Sequence, residues 1–277
     1  EEFREHVVAK ERSPEALIDK VICPYADAYE VVLNASFEST RDAAYLNEIL
    51  GWLLRIDNRD WMPPAILLLQ KHMHDIDLLT RMFTGLERLA SSMFIRRFGV
   101  NGRIERYGRI IDAIKDDDLN RLDALMLLSD EEREDTLEIL NGDLYLSRQI
   151  RTYVLLRLDS WLADGTARYQ HKIITVEHVL PQTVKAGSEW DLQWPDEDLR
   201  HAWVHRLGNL VLLSRRKNSS AQNYDFATKK QKYFQTSTGV SSFALTTHVL
   251  EEKEWTLDVV EKRQRELIQV LIRGWEL

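Results

Sequence analysis

The pair Glu177-His178 closes the β-branched run Ile173-Ile174-Thr175-Val176, and Asn218 follows further along in a basic, helix-compatible stretch. A histidine and a carboxylate at a strand end, with a distant asparagine presented from a helix, are the parts of a one-metal phosphodiesterase. Breaking a phosphodiester at neutral pH needs an activated water, neutralisation of charge in the transition state, and help for the departing oxygen. A histidine with a pKa near 7 serves the first need. A hard divalent cation held by one carboxylate and one amide oxygen serves the others. Neighbouring strand residues point to opposite faces, so Glu177 would address the metal while His178 addresses the attacking water. Pro181 then ends the extended segment and stiffens the turn behind the histidine.

Asn209 sits in Leu207-Gly208-Asn209-Leu210. Glycine at 208 permits a backbone conformation that residues with a Cβ resist, and the asparagine amide is expected to tie two loop segments together and so fix the histidine ring. The amide oxygen of Asn218 is the candidate second metal ligand, with Asn223 as the alternative because the helix start is not sharply marked.

The elements that must position these residues read, in order, as strand, long loop, strand and helix. Gly208 to Leu213 is the second apolar run with strand character. The loop before it holds Trp190 and Trp194, which either cover a small core or stack on a base, and a short helix from Asp196 to Trp203. Residues 1 to about 165 carry apolar side chains at helical spacing throughout. Ser13-Pro14 looks like an N-cap and first helical position, which would bury Ala16, Leu17, Val21 and Ile22. Asp60-Trp61-Met62-Pro63-Pro64 opens another helix, with Ile66, Leu67, Leu69 and Met73 on its apolar side. The segment Ile76 to Phe98 closes at Gly99 as at a C-cap, a helix runs from about Leu144 to Leu162, and a last one over Thr256 to Trp275 turns Leu257, Val260, Leu267, Val270 and Leu271 inward. The expected fold class is α+β and mainly α-helical. Its expected divisions are a helical subdomain over 1–165, a small strand-and-helix finger over 166–235, and a C-terminal helical segment over 236–277 that packs on the helical core.

A chain of 277 residues with 44% hydrophobic side chains can bury a real core. Its longest apolar runs, such as Ile66 to Leu69, are too short to span a membrane. The single Cys23 excludes an internal disulfide or a cysteine zinc site, is expected to pack inside, and makes the cytoplasm the default compartment. A net charge of −8 argues against indiscriminate nucleic-acid binding. Between Arg206 and Phe234, however, Arg206, Arg215, Arg216, Lys217, Lys229, Lys230 and Lys232 face only one acid, Asp225. Such a local basic face on an acidic body suits a specific nucleic-acid cleft, with Arg215, Arg216, Lys217, Lys229 and Lys230 expected to contact phosphates. Asp116-Asp117-Asp118 and the acids from Asp130 to Asp135 would repel them.

The combination Glu177-His178-x-x-Pro181-Gln182, then Trp190, Leu207-Gly208-Asn209-Leu210-x-Leu212-Leu213, Asn218 and Phe226-x-x-Lys229-Lys230 resembles the C-terminal HNH, or His-Me finger, domain of GmrSD-type modification-dependent restriction proteins and related phage-defence nucleases. Trp255-Thr256, Arg263 and Trp275 fit the C-terminal helix of that family. The resemblance runs closely from Ile174 to about Lys232 and loosely across the helical first half. It implies a ββα-metal active site in the C-terminal half, with His178 as general base, Glu177 and Asn218 as ligands of one Mg²⁺ or Mn²⁺ ion, and Asn209 orienting the histidine. The implied substrate is DNA, and the implied partner is an N-terminal nucleotide-hydrolysing regulatory domain outside this chain, which opens at Glu1 without a methionine and contains no Gly-x-x-x-x-Gly-Lys-Ser/Thr loop. HNH enzymes at large carry aspartate where Glu177 stands, so direct and water-mediated ligation both stay open.

The expected activity is therefore a metal-dependent DNA endonuclease that nicks as a monomer. A binding module without cleavage, or an RNA-cleaving toxin with the same finger, are the alternatives. His205 reads first as a surface histidine and second as a phosphate contact. His72 and His74 lie two apart on a helix and face different directions, which excludes a shared metal. His6, His171, His201 and His248 have no evident partner. Trp52, Trp61, Trp161, Trp255 and Trp275 fall at amphipathic positions and belong to the core.

Overall fold

A computed structural model of the chain describes residues 1–11, 13–163, 169, 174–214, 224–234, 241 and 243–277. The protein is mainly helical with one small antiparallel sheet, an α+β arrangement. Its contacts divide it into two compact units, Glu1–Ser129 and Asp130–Leu277.

The first unit is all helical: α1 (Glu2–His6), α2 (Pro14–Leu17), α3 (Cys23–Asn34), α4 (Ala44–Leu53), α5 (Met62–His72), α6 (Ile76–Ile95), α7 (Val100–Lys115) and α8 (Leu119–Met126). Helix α4 packs on α6, and α5 packs on α3 and α7. Ile49, Leu50, Leu53, Leu68, Leu79, Phe83 and Leu86 are sealed between them. The Ser13 hydroxyl accepts from Ala16 N at 3.1 Å, the expected cap. The burial expected after it does not follow, since Ala16, Leu17 and Val21 are half-buried and Ile22 is exposed, as is Cys23. Met73 is also exposed, because α5 ends at His72, while Leu68 takes the inward position instead. Gly99 is not a C-cap. Helix α6 stops at Ile95, Arg97 takes the left-handed turn at φ 52°, and Gly99 is the N-cap of α7 with ordinary extended dihedrals. The main chain can force an arginine into that region when the Phe98 amide closes back on Met93 O at 2.8 Å.

The second unit holds α9 (Asp130–Asn141), a single 3-10 turn over Leu144–Leu146, α10 (Arg148–Leu162), β1 (Thr175–His178), α11 (Glu189–Gln193), α12 (Glu197–Val204), a 3-10 turn over Leu207–Asn209, β2 (Leu210–Leu213), α13 (Phe226–Lys229) continued by a wider turn over Lys230–Phe234, α14 (Ala244–Glu251) and α15 (Leu257–Trp275). Strands β1 and β2 pair antiparallel with Thr175 opposite Leu213 and His178 opposite Leu210. Directly paired residues share a face, so Glu177 lies on the face of Val211 while His178 lies on the face of Leu210. Val211 and Leu213 belong to a buried cluster with Leu180, Trp190, Trp194, Phe226, Phe234 and Trp255. The loop tryptophans thus cover the core of the hairpin. Their indole N–H groups donate to main-chain oxygens, Trp190 to Tyr224 O at 2.8 Å and Trp194 to Trp255 O at 2.6 Å, so neither polar atom is stranded. Trp52, Trp61, Trp255 and Trp275 are buried as expected, and Trp161 is half-buried.

Helix α15 locks the entry to β2. Val260, Arg263, Gln264, Leu267, Ile268 and Leu271 form its inward stripe. Arg263 Nη1 donates to Gly208 O at 2.7 Å and Leu210 O at 3.1 Å, and Gly208 N donates to Gln264 Oε1 at 2.6 Å. The backbone at 208 needs no positive φ. Its glycine is required for a different reason from the one expected: a Cβ there would stand 2.7 Å from Val260 O and 3.1 Å from Gln264 Cβ.

Gly208→Ala is therefore expected to destabilise the protein by about 2 kcal/mol or more, since a backbone oxygen must move. Gly51, in the last turn of α4 with nothing near its missing Cβ, is the contrast: Gly51→Ala should be neutral or stabilising by roughly 0.5–1 kcal/mol. Urea denaturation of the two variants measures both, and equal effects would contradict the close approach at Gly208.

Candidate active site

His178 ends β1 and is only 3% exposed. Its ring lies between three side chains from separate segments. The Tyr145 ring, from the turn before α10, is 4.0 Å away between centroids. His205 Nδ1, just past α12, approaches His178 Nε2 at 3.3 Å. Gln182 Nε2, four residues along, approaches His178 Nδ1 at 3.2 Å. Burial, followed by the charges of His205, Lys229 and Arg151, holds the His178 pKa down at about 3, against 6.5 for a free histidine. The expectation of a pKa near 7 is thus corrected for this arrangement. The imidazole is neutral at physiological pH, with one partner at each nitrogen. Burial also lowers the pKa of His205.

Asn209 is fully buried, and every polar atom of its amide is used. Its Oδ1 accepts from Leu180 N at 2.7 Å and from Trp255 Nε1 at 3.0 Å, and its Nδ2 donates to Leu180 O at 3.0 Å and Val204 O at 2.9 Å. The expected tie between loop segments is present. It acts on the backbone beyond His178 and before His205, while the imidazole nitrogens themselves meet Gln182 and His205.

Lys229 departs from its expected place on a phosphate-binding surface. It is 4% exposed, and its ammonium donates to His178 O at 3.1 Å and Val179 O at 2.7 Å, 5.6 Å above the Trp190 ring. The reason is its position inside α13, whose Phe226 and Lys229 turn together onto the hairpin. Lys230 is half-buried and donates to Leu250 O at 3.2 Å and Glu252 O at 2.5 Å, closing the end of α14. Arg215, Arg216, Lys217, Asn218 and Asn223 lie outside the described residues. Glu177 is 4% exposed, on the hairpin face where Val211 packs with Phe226 and Phe234. Among the described residues no group of three or more His, Cys, Asp or Glu side chains converges as a metal site. Glu177, next to His178 in β1, offers a carboxylate oxygen of the kind a magnesium-type ion takes.

Sequence reasoning did not find Tyr145, Gln182 or His205 as neighbours of the histidine. Gln182 stood within the motif already singled out, and His205 stands four residues before Asn209. Nothing local marks Tyr145. A recess of about 240 Å³ opens beside Gln182, lined also by Val184, Glu197, Arg200 and His201. It leaves room for a group larger than water beside Gln182, whose amide faces His178 Nδ1. Among the described residues no helix is long and apolar enough to cross a membrane.

Asn209→Ala should cost several kcal/mol in denaturant unfolding, on the order of 3, because it strands Leu180 N, Leu180 O, Val204 O and the Trp255 indole in a dry core. A cost below about 1 kcal/mol would contradict this role. The lowered pKa of His178 carries a second expectation. Protonation disfavours the folded state, so the contribution is whole above the free value of 6.5 and is lost as pH falls toward about 3. Thermal unfolding of the wild type and His178→Asn between about pH 7 and pH 4 should show the two converging on acidification. Parallel curves would rule out a histidine buried in its neutral form.

No curated protein matches the chain. The family model described as GmrSD restriction endonucleases, C-terminal domain, matches residues 129–270, which is the compact unit Asp130–Leu277 almost end to end. It takes in β1, β2, the asparagine tie and the paired histidines, and the chain belongs to that family.

Proposed function

We propose that this protein is a metal-dependent DNA endonuclease of HNH type that serves restriction of foreign or modified DNA in phage defence. The observation that carries the reading is a neutral, buried His178 at the end of a hairpin, inside a region matched by a restriction-endonuclease family. The hairpin followed by a helical segment supports a ββα finger: Phe226 and Phe234 cluster with Val211 on the face that carries Glu177. That packing favours Glu177 as the ligand nearer the helix and His178 as the base on the other side.

In this mechanism His178 takes a proton from water as the water oxygen bonds to phosphorus, in line with the breaking bond to the 3′ oxygen. The negative charge of an incoming phosphodiester offsets the cations of Lys229 and Arg151, which raises the basicity of His178 where it is needed. Glu177 and Asn218 would hold one Mg²⁺ or Mn²⁺ ion, which supplies charge neutralisation for the phosphoryl centre and leaving oxygen. Lys229 positions the backbone of His178 and Val179. Arg215, Arg216 and Lys217 are assigned to the DNA backbone, a nucleotide-hydrolysing domain is the proposed regulatory partner, and the cytoplasm is the proposed compartment.

Supercoiled plasmid incubated with the protein and Mg²⁺ should be nicked. His178→Ala should slow nicking by about 10²–10⁴-fold, and Glu177→Gln or Asn218→Ala should raise the Mg²⁺ requirement by about tenfold or more. Undiminished nicking by His178→Ala removes the base assignment, and DNA binding without any cleavage by the wild type favours a binding module instead.

A further inference from the structure

The base role assigned to His178 leaves its closest aromatic partners unexplained. Gln182 Nε2 can only donate, and it faces His178 Nδ1 at 3.2 Å, so Nδ1 carries the lone pair. The imidazole proton then sits on Nε2, which faces His205 Nδ1 at 3.3 Å. A hydrogen bond across that gap requires His205 Nδ1 to accept, and His205 in turn keeps its own proton on Nε2.

We propose that His205 is the positioning residue for His178, accepting from Nε2–H and so keeping the lone pair on Nδ1, where the attacking water would take the place of the Gln182 amide; the proposal rests on the general-base reading above. His205 does what a carboxylate or carbonyl does behind many functional histidines, fixing tautomer and ring orientation through the far nitrogen. When His178 takes a proton at Nδ1, the Nε2–H becomes a cationic donor and its bond to His205 strengthens. The support therefore grows in the transition state.

His205 is itself held on two sides. Its carbonyl accepts from Tyr145 N at 3.0 Å, and its ring stacks on Tyr145 at 5.5 Å with 10° between planes. Tyr145 is pinned in turn by Arg151, which donates to Tyr145 O at 2.6 Å and lies 4.1 Å over its ring. The separation of the two histidines is set by Asn209, whose amide grips Leu180 on one side and Val204 on the other. Each histidine is thus within two residues of the same tie. A surface histidine of no consequence would have neither the stacked ring nor the anchored backbone.

The test uses the full chain with plasmid and Mg²⁺. His205→Ala should lower the maximal nicking rate about 10–100-fold while the DNA concentration for half-maximal rate stays unchanged. His205→Asn, whose amide oxygen can stand where Nδ1 stands, should recover to within a few-fold of wild type. Long-range ¹H–¹⁵N NMR of the histidines should show His178 as the Nε2–H tautomer in the wild type and in His205→Asn, and as a mixture in His205→Ala. A wild-type rate in His205→Ala, or an unchanged tautomer there, overturns the proposal. Loss in both variants with the same tautomer also overturns it, as plain structural damage. His178→Ala in the same assay separates the readings: full nicking by that variant defeats the base assignment, whereas a dead His178→Ala beside a fully active His205→Ala defeats only the positioning role.

Discussion

A side-chain amide in a dry core can be stable only if all of its hydrogen-bonding capacity is used. Asn209 meets that condition by drawing on Leu180, Val204 and Trp255, which come from the turn after β1, the end of α12 and the segment just before α15. Displacing any one of them strands polar atoms on the others. The arrangement of the site follows from this constraint, because His178 and His205 are carried on the backbone segments that the amide joins. Helix α15 adds a second layer, taking both the N–H and the carbonyl of Gly208 through Gln264 and Arg263. Gln264 Nε2 also donates to Asn141 Oδ1 at 3.3 Å, so the end of α9 is tied to the same point.

Two buried cations serve the main chain of the hairpin. Arg263 is 7% exposed and gives its N–H groups to main-chain carbonyls of Gly208, Leu210 and Leu245, with burial lowering its pKa to about 9. Lys229 gives its ammonium to the carbonyls of His178 and Val179. The charge of Lys229, with those of His205 and Arg151, disfavours protonated His178.

Features set by local chemistry could be read from the residues. The strand at Glu177-His178, the second strand after Asn209, the Ser13 cap and the last helix each depend on neighbours a few residues away. Lys229 was legible as basic but not as buried, since periodicity does not say which side of α13 meets the hairpin. Gly208 announced a constraint whose cause, the backbone of α15, lies far along the chain. Arg97 took the turn that Gly99 suggested because a main-chain closure outweighed the intrinsic preference of glycine. His205 and Tyr145 were invisible as a pair, for they meet only after α9, α10 and α12 are packed. Arg215, Arg216, Lys217 and Asn218 remain assigned from the sequence and its family.

The Tyr145 ring has an evolutionary corollary. It enters from the short turn between α9 and α10, upstream of the first strand, and one of its faces is already taken by Arg151 of α10. Recombination that moved only the strand–loop–strand segment into a new host would leave the imidazole without its aromatic wall. A heritable cassette that keeps the wall must begin upstream of Tyr145, and the family match, which begins at residue 129, does so.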